Sequence, residues 1–279
     1  MTGRHIFRIT SRISLNILIA AFSVTCVFPV IWMLYSSLKT KQEFAMSILA
    51  LPKSPQFGNY IRAFQVGEMH IYLLNSVIIS SLTVAVLLAV SFTAAYALAR
   101  FSFRLNPVLY IMFITGILIP IHGLMVPVFI MFNRIHITDT RLSLVLVYVG
   151  FGLPLTIFLL QAFIRSIPRE MEEAAFMDGG TLYATLREVI LPMSTPAIAT
   201  SMILAFLNAW NEFPFALVLI RSKALKTLPL GLTNFSGQFN TDYTKLMAAL
   251  LIALIPIMLV YFVSYKAIMR GMLAGAVKG

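Results

Sequence analysis

Charged side chains withdraw from six long stretches of this chain. Lys, Arg, Asp and Glu are absent over residues 13–35, 71–99, 105–133, 142–164, 189–211 and 246–265. A helix needs about 20 apolar residues to cross a hydrocarbon core, and every stretch is long enough. Their period is helical or uniformly apolar, without the strict alternation of an outer-membrane barrel. The pattern predicts an all-α, polytopic membrane protein, a bundle of six transmembrane helices in a single domain over 1–279. The spans are expected at about 13–35, 72–99, 107–132, 142–164, 193–220 and 245–265. An even number of spans leaves both termini on one side.

Composition agrees with the pattern. Of the 279 residues 59% are hydrophobic and 11% are charged, and the mean hydropathy is +0.91. Soluble domains carry roughly a quarter charged residues, so a water-soluble globule is excluded. Arg4, Arg8 and Arg12 precede the first apolar run as in a signal peptide. That run is too long for a signal core and no small-residue cleavage site follows, so it reads as a retained span. Cys26 is the single cysteine and lies inside this span, which leaves no disulfide framework and no cysteine metal site.

The net charge of +11 does not imply nucleic acid. The cations are spread over every loop and are nowhere interleaved with aromatic residues as in a single-strand groove, whereas a cation excess suits anionic membrane lipid. With both termini cytoplasmic, the 21 cations divide eleven inside to ten outside, so the positive-inside rule does not orient the bundle.

The acids are more informative. Glu170, Glu172, Glu173, Asp178 and Glu188 all fall in the segment 165–192 between the fourth and fifth spans. Pro168 suits a first helical turn, and acids near that end complement the positive helix terminus. Gly179 and Gly180 suit a left-handed cap and a tight reversal. Leu182, Leu186 and Val189 give a second short helix an apolar face, and Pro192 marks entry to the fifth span. Ala174 and Ala175 leave a flat patch that a partner can approach closely, with acids beside it to pair with Arg or Lys. On composition alone, a solvated hairpin is the plainer reading.

Glu173-Ala174-Ala175, three residues, Gly179, nine residues, Val189, one residue, Leu191-Pro192 resembles the EAA loop of ABC-importer permeases. Val189 stands where that pattern has Ile. Tyr96-Ala97-Leu98-Ala99-Arg100-Phe101, Asn59-Tyr60 with Phe64, Trp210-Asn211-Glu212-Phe213 and the ending Ala274–Gly279 are similar to the carbohydrate (MalG-like) branch. The resemblance implies a MetI-like, type I importer fold in the inner membrane of a prokaryote, with the loop and both termini cytoplasmic. It implies a second permease, two ATPase subunits and an extracytoplasmic substrate-binding protein as partners. ATP and Mg would sit on the ATPase; this chain has no G-x-x-x-x-G-K-[ST] loop and is expected to bind no cofactor and catalyse nothing. The solute would be a mono- or oligosaccharide, with a polyol or glycerol phosphodiester as alternatives. The residues expected to couple to the ATPase are Glu172, Glu173, Ala174, Ala175, Asp178, Gly179, Leu191 and Pro192. Glu173 would either pair with the ATPase or hold the loop together.

Ionisable residues within spans are functional by default. Asn208, Asn211 and Glu212 fall at i, i+3 and i+4 and share a helical face, with Trp210 off it. They could line the translocation pathway or hydrogen-bond across a permease pair. His122, between Pro120 and Pro127 and next to Gly123, sits where the third span should kink; it could face a cavity or be a satisfied core histidine. His5, His70 and His136 have no metal-ligand spacing. The external stretch 221–245, with Gly231, Asn234, Ser236, Gly237 and Gln238, reads as a polar, flexible contact for the binding protein or as a simple connector. An ion-coupled secondary transporter would need more intramembrane charges than Glu212, and a membrane enzyme would need clustered acids or a nucleophile with its base.

Overall fold

The computed structural model describes residues 2–65, 67–235 and 241–276, of which 12–65, 67–235 and 241–265 are described to the side chain. The fold is all-α, with no strand among the described residues. The helices are α1 (Thr2–Ser37), α2 (Lys41–Met46), α3 (Gly58–Gln65), α4 (Met69–Arg100), α5 (Asn106–Ile117), α6 (Met125–Arg134) and α7 (Arg141–Ser166). They continue as α8 (Glu170–Met177), α9 (Leu182–Thr185), α10 (Leu191–Met193), α11 (Thr195–Asn211), α12 (Pro214–Leu219), α13 (Leu228–Leu232) and α14 (Tyr243–Ala276).

Among the described residues, four helices are long and apolar enough to cross a membrane: Arg12–Ser37, Met69–Arg100, Arg141–Ser166 and Tyr243–Tyr265. Two further spans are bent pairs, Asn106–Ile117 with Ile121–Arg134 at 92° and Leu182–Met193 with Thr195–Asn211 at 73°, which makes up to six crossings. The first bend lies where Pro120 adopts an extended conformation (ψ 96°) ahead of the 3-10 turn Ile121–Leu124 that carries His122. The expected span 193–220 is likewise not one rod. Glu212 is extended (ψ 127°), and the chain restarts as α12 with Pro214 in its first turn, where a missing N–H costs nothing.

The contacts divide the chain into two compact units, Met1–Met69 with Leu232–Leu254 and His70–Gly231 with Ile255–Gly279. In the first, Lys39 is 1% exposed and donates from Nζ to the carbonyls of Ser47 (3.1 Å) and Ile48 (2.8 Å). Its ammonium lies 5.1 Å from the Tyr35 ring and 5.8 Å from that of Phe44. Burial pushes the Lys39 pKa down, with the Glu43 carboxylate acting the other way. Thr40 and Glu43 form a reciprocal capping box at the start of α2. Asn59 Nδ2 donates to the carbonyls of Ser37 (2.8 Å) and Lys39 (2.9 Å), so this turn is cross-braced by side chains.

The second unit is built on α7, which packs against α5, α11 and α12. One core gathers Ile79 and Leu87 of α4, Leu144 and Val147 of α7, Ala205 of α11 and Phe215 and Leu219 of α12. Glycines set the helix separations. A Cβ at Gly116 would lie 2.8 Å from the Pro154 ring, and one at Gly152 would lie 2.7 Å from Leu87.

The end of this unit remote from the segment 167–192 is tied by polar side chains. Asn75 Oδ1 accepts from Arg141 Nε (3.1 Å) and Nη2 (2.8 Å), while its Nδ2 donates to the carbonyls of Ala224 (2.8 Å) and Lys226 (3.0 Å). Ser76 Oγ accepts from Leu228 N at 2.7 Å. Asp139 accepts from the backbone of Arg221 (2.9 Å) and Ser222 (2.8 Å) and from the Ser222 hydroxyl. Burial works to raise the Asp139 carboxyl, but the hydrogen bonds from Ser222 and Arg221 outweigh it and hold its pKa below the ordinary value. The stretch 221–228 is therefore pinned rather than flexible, because its backbone carbonyls and N–H groups are taken up by Asn75, Ser76 and Asp139. Ser236, Gly237 and Gln238 lie outside the described residues.

Close approach makes one glycine decisive. A Cβ at Gly231 would fall 2.1 Å from the ring of Tyr72, which is fully buried and has nowhere to move. Gly231→Ala is expected to destabilise by about 1–3 kcal/mol and to lower the unfolding temperature in detergent. Gly150→Ala, where the added methyl meets open space within α7, should leave that temperature unchanged or raise it.

Candidate functional site

The segment between α7 and α11 folds as two short helices meeting at a glycine reversal. Pro168 precedes α8, whose first turn carries Glu170, Glu172 and Glu173. The reversal needs both glycines for different reasons. Gly179 has φ +84°, a left-handed conformation, and its N–H donates to the Phe176 carbonyl at 3.0 Å. Gly180 donates to the Ala175 carbonyl at 2.9 Å, and a Cβ there would come within 2.6 Å of that oxygen. Thr181 then caps α9 by accepting from Ala184 N at 3.3 Å. A π turn, Leu186–Ile190, follows, with Leu191 N–H reaching back to the Leu186 carbonyl. Pro192, which has no N–H, sits in the first turn of α10, and Ser194 marks the 73° bend into α11.

The structure divides the expected coupling residues into two groups. Glu173, Ala174, Asp178, Gly179, Leu191 and Pro192 are exposed, and Ala175 is half-buried. Around them stand apolar side chains open to solvent: Met171, Phe176, Met177 (86% exposed), Leu182 and Tyr183. Glu172 turns the other way. It is 7% exposed, accepts from Tyr96 OH at 2.9 Å and is ion-paired with Arg100 Nε. Arg100 Nη2 also donates to the Ile167 carbonyl at 3.0 Å, in the turn between α7 and α8. The sequence showed Tyr96 and Arg100 only as marks of resemblance. A cation closing an apolar helix and an acid opening α8 were the signal that the two could pair.

The second site is a cavity of about 460 Å³ within the second unit, walled by α4, α7, α11, α12 and the turn carrying His122. Asn208, Asn211, Glu212 and His122 all line it, so the structure brings together the polar residues singled out in two different spans. Trp210 is not among them: it is 2% exposed and stacks on Phe206 with ring centroids 5.4 Å apart. Glu212 spans the break between α11 and α12. Its carboxylate accepts from Tyr148 OH (2.6 Å), Phe215 N (2.6 Å) and Ala216 N (3.1 Å), supplying acceptors to orphan N–H groups of the new helix. Aromatic wall comes from Phe151 and Phe215, whose centroids are 5.5 Å apart, with the His122 ring 6.3 Å from Phe215.

Sequence reasoning missed four polar groups of this wall, those of Thr83, Tyr148, Thr156 and Ser201. Tyr148 sits in an apolar run, and Thr83 and Ser201 resemble ordinary small helix residues. In the fold, the Thr83 and Ser201 hydroxyls are buried at the cavity with no hydrogen-bond partner among the described residues. Hydroxyls, amides, a carboxylate and aromatic faces can together hydrogen-bond and stack a polyhydroxylated molecule. No group of His, Cys, Asp and Glu among the described residues is arranged to hold a metal ion.

The chain is thus a multi-pass helical membrane protein with an exposed hairpin and a cavity that carries a few polar side chains among its spans. The chain belongs to the family described as binding-protein-dependent transport system inner membrane component, whose model matches residues 88–274. It is 39% identical over 264 residues to a putative ABC transporter permease protein of Caldicellulosiruptor sp. (strain Rt8B.4), spanning 94% of this chain and 96% of that one. To the sulfoquinovosyl glycerol transport system permease of Agrobacterium fabrum it is 34% identical, over 92% and 90% of the two chains. Among solved structures, a bacterial ABC transporter involved in import of the acidic polysaccharide alginate matches with a TM-score of 0.82 at 23% identity, covering 95% and 98%. The fold is thus MetI-like, and the chain is a non-catalytic, multi-pass permease subunit of the inner membrane whose ATPase is a separate partner.

The bonds at the α11–α12 break generate a stability prediction. Glu212→Ala leaves the buried Phe215 and Ala216 N–H groups without their acceptor and should cost about 1–3 kcal/mol per group. Tyr148→Phe removes one partner of a carboxylate that keeps two others, and should cost about 1 kcal/mol. Thermal unfolding of the purified protein in detergent orders the two.

Proposed function

We propose that this chain is the transmembrane permease subunit of an ATP-driven importer that carries a carbohydrate across the cytoplasmic membrane by alternating access. The observation that carries the reading is the exposed surface of the α8–α9 hairpin. Ala174, Met177, Asp178, Gly179 and Tyr183 project from a rigid, doubly capped reversal, in a chain whose family works with a separate ATPase. The hairpin docks into a groove of that ATPase, with Glu173 and Asp178 beside the alanines to meet cations. ATP and Mg are held by the ATPase and this chain binds no cofactor. On this reading the hairpin and both termini are cytoplasmic, and 221–228 faces a substrate-binding protein on the other side. A second permease completes the pathway and a second ATPase the motor.

The carbohydrate class is supported by the relative named for sulfoquinovosyl glycerol and by the cavity, where Asn208, Asn211, Tyr148, Thr83 and Ser201 offer hydroxyl-binding partners. The solute passes through this cavity when the spans rock from one opening to the other. Closure of the ATPase dimer on nucleotide biases that two-state equilibrium, because the docked hairpin moves with it. Trp210, packed on Phe206, braces α11 instead of meeting the solute.

Pull-down of the full chain in mild detergent tests the coupling. Wild type and Gly179→Asp are compared, with Gly150→Ala as control. Wild type and control are expected to bring a second permease and an ATPase; Gly179→Asp should keep the permease and lose the ATPase. At φ +84° a non-glycine residue costs about 1–2 kcal/mol, and the added acid stands on the docking surface. A stable wild-type chain that brings down no ATPase overturns the proposal.

A further inference from the structure

The coupling hairpin is held to the rest of its unit by one polar cluster. Arg100 ends α4 and Glu172 lies in the first turn of α8, so each charge also sits at the helix terminus whose dipole favours it. The guanidinium uses its planar fork in two directions: Nε pairs with Glu172, and Nη2 donates to the Ile167 carbonyl at 3.0 Å in the turn that ends α7. Tyr96, one turn back on α4, donates to the second Glu172 oxygen at 2.9 Å. The side chains of Arg100 and Glu172 are 7% and 9% exposed. Tyr96 packs in a buried apolar cluster with Phe92, Ala95, Ala99, Leu160, Ile164, Ile167 and Ile190. Water has little access, and the pair cannot separate without leaving charge in an apolar shell.

We propose that Tyr96, Arg100 and Glu172 form a strut that makes α8 and α4 move as one rigid body, so that displacement of the coupling hairpin is delivered to α4 as well as to α7 and α11. These are positioning residues: they touch neither solute nor nucleotide. Glu172 thereby leaves the docking surface to Glu173, its exposed neighbour. The proposal rests on the importer reading above, since it needs an ATPase to move the hairpin. Among the described residues, the bonds from Tyr96 and Arg100 to Glu172 are the side-chain bonds that join α4 to α8. With them, a tilt of α8 cannot be absorbed at its own base.

The test measures the distance between spin labels at Glu170, exposed in the first turn of α8 and outside the docking face, and Leu74, near the opposite end of α4, in a Cys26→Ser background. The full complex with its co-purified ATPase is examined with and without ATP and vanadate. In the wild-type background one narrow distance is expected in both states. Arg100→Met with Glu172→Gln removes both charges together, so neither is stranded. This variant should still co-purify the ATPase but show a second, displaced distance with nucleotide. Solute uptake per ATP hydrolysed should fall on the order of tenfold, the size of an ordinary coupling free energy. The exchanged pair, Arg100→Glu with Glu172→Arg, should restore the single distance. Three results would overturn the strut: a wild-type distance that itself changes with nucleotide, a double variant whose distance stays single, or loss of the ATPase from the double variant, which would make Glu172 a docking residue. Absence of any ATPase from the wild-type complex would count against the importer reading instead.

Discussion

Hydrocarbon offers no hydrogen bonds, so each interruption of a spanning helix has to be answered by the chain itself. That constraint explains the prolines and polar side chains at the breaks, while Pro29, Pro154 and Pro256 stand inside α1, α7 and α14. Pro192, Pro196 and Pro214 all stand in first turns, where they have no N–H to leave unpaired. Around the bend at Ser194 the backbone bonds continue, Ser194 N to Ile190 O and Ile198 N to Ser194 O, each 2.9 Å. At the end of α5 the chain tightens to shorter-range bonds, Leu118 N to Thr115 O and Gly123 N to Pro120 O. At the third break no backbone acceptor serves Phe215, and a carboxylate from the preceding residues does. Glu212 is thus structural by its bonds, whatever it also does for a solute.

Much of this was legible in the sequence because it is local. Apolar runs mark the spans, Pro168 and Gly179 mark the ends of α8, and a spacing of i, i+3 and i+4 places Asn208, Asn211 and Glu212 on one face. What could not be read is non-local. Tyr148 meets Glu212 from 64 residues away, and Arg100 meets Glu172 across 72. Periodicity says that a face exists and not which face it meets. The even division of cations has the same origin. Lys39 and Arg141, counted as external charge, are spent on the carbonyls of Ser47 and Ile48 and on the Asn75 side chain. The positive-inside rule concerns charges that face lipid headgroups, and the buried Lys39 does not.

The same few side-chain types do opposite work at different depths. Near the ends of the spans, Asn75, Ser76, Asp139 and Arg100 are saturated by partners. At the cavity, Thr83 and Ser201 are buried and unpartnered. Ser80, Ser91, Thr185, Ser194 and Thr227 elsewhere in the unit are buried and unpartnered among the described residues too, so what fits the cavity to hold something other than protein is its space beside Asn208, Asn211 and Glu212.

Stiffness is consequently distributed unevenly along the second unit. Asn75, Asp139 and Ser76 fasten the 221–228 stretch, and Arg100 with Glu172 fastens the base of α8. Between these rigid caps lie the three interruptions: before Ile121, at Ser194, and at Glu212 with Phe213. In engineering terms the unit is a linkage with clamped ends and pivots in its middle. A load applied to either end is not dissipated there; strain collects at the pivots, which border or lead into the cavity wall. Two of the three interruptions, at Ile121 and Glu212, thus border the space where a solute would lie.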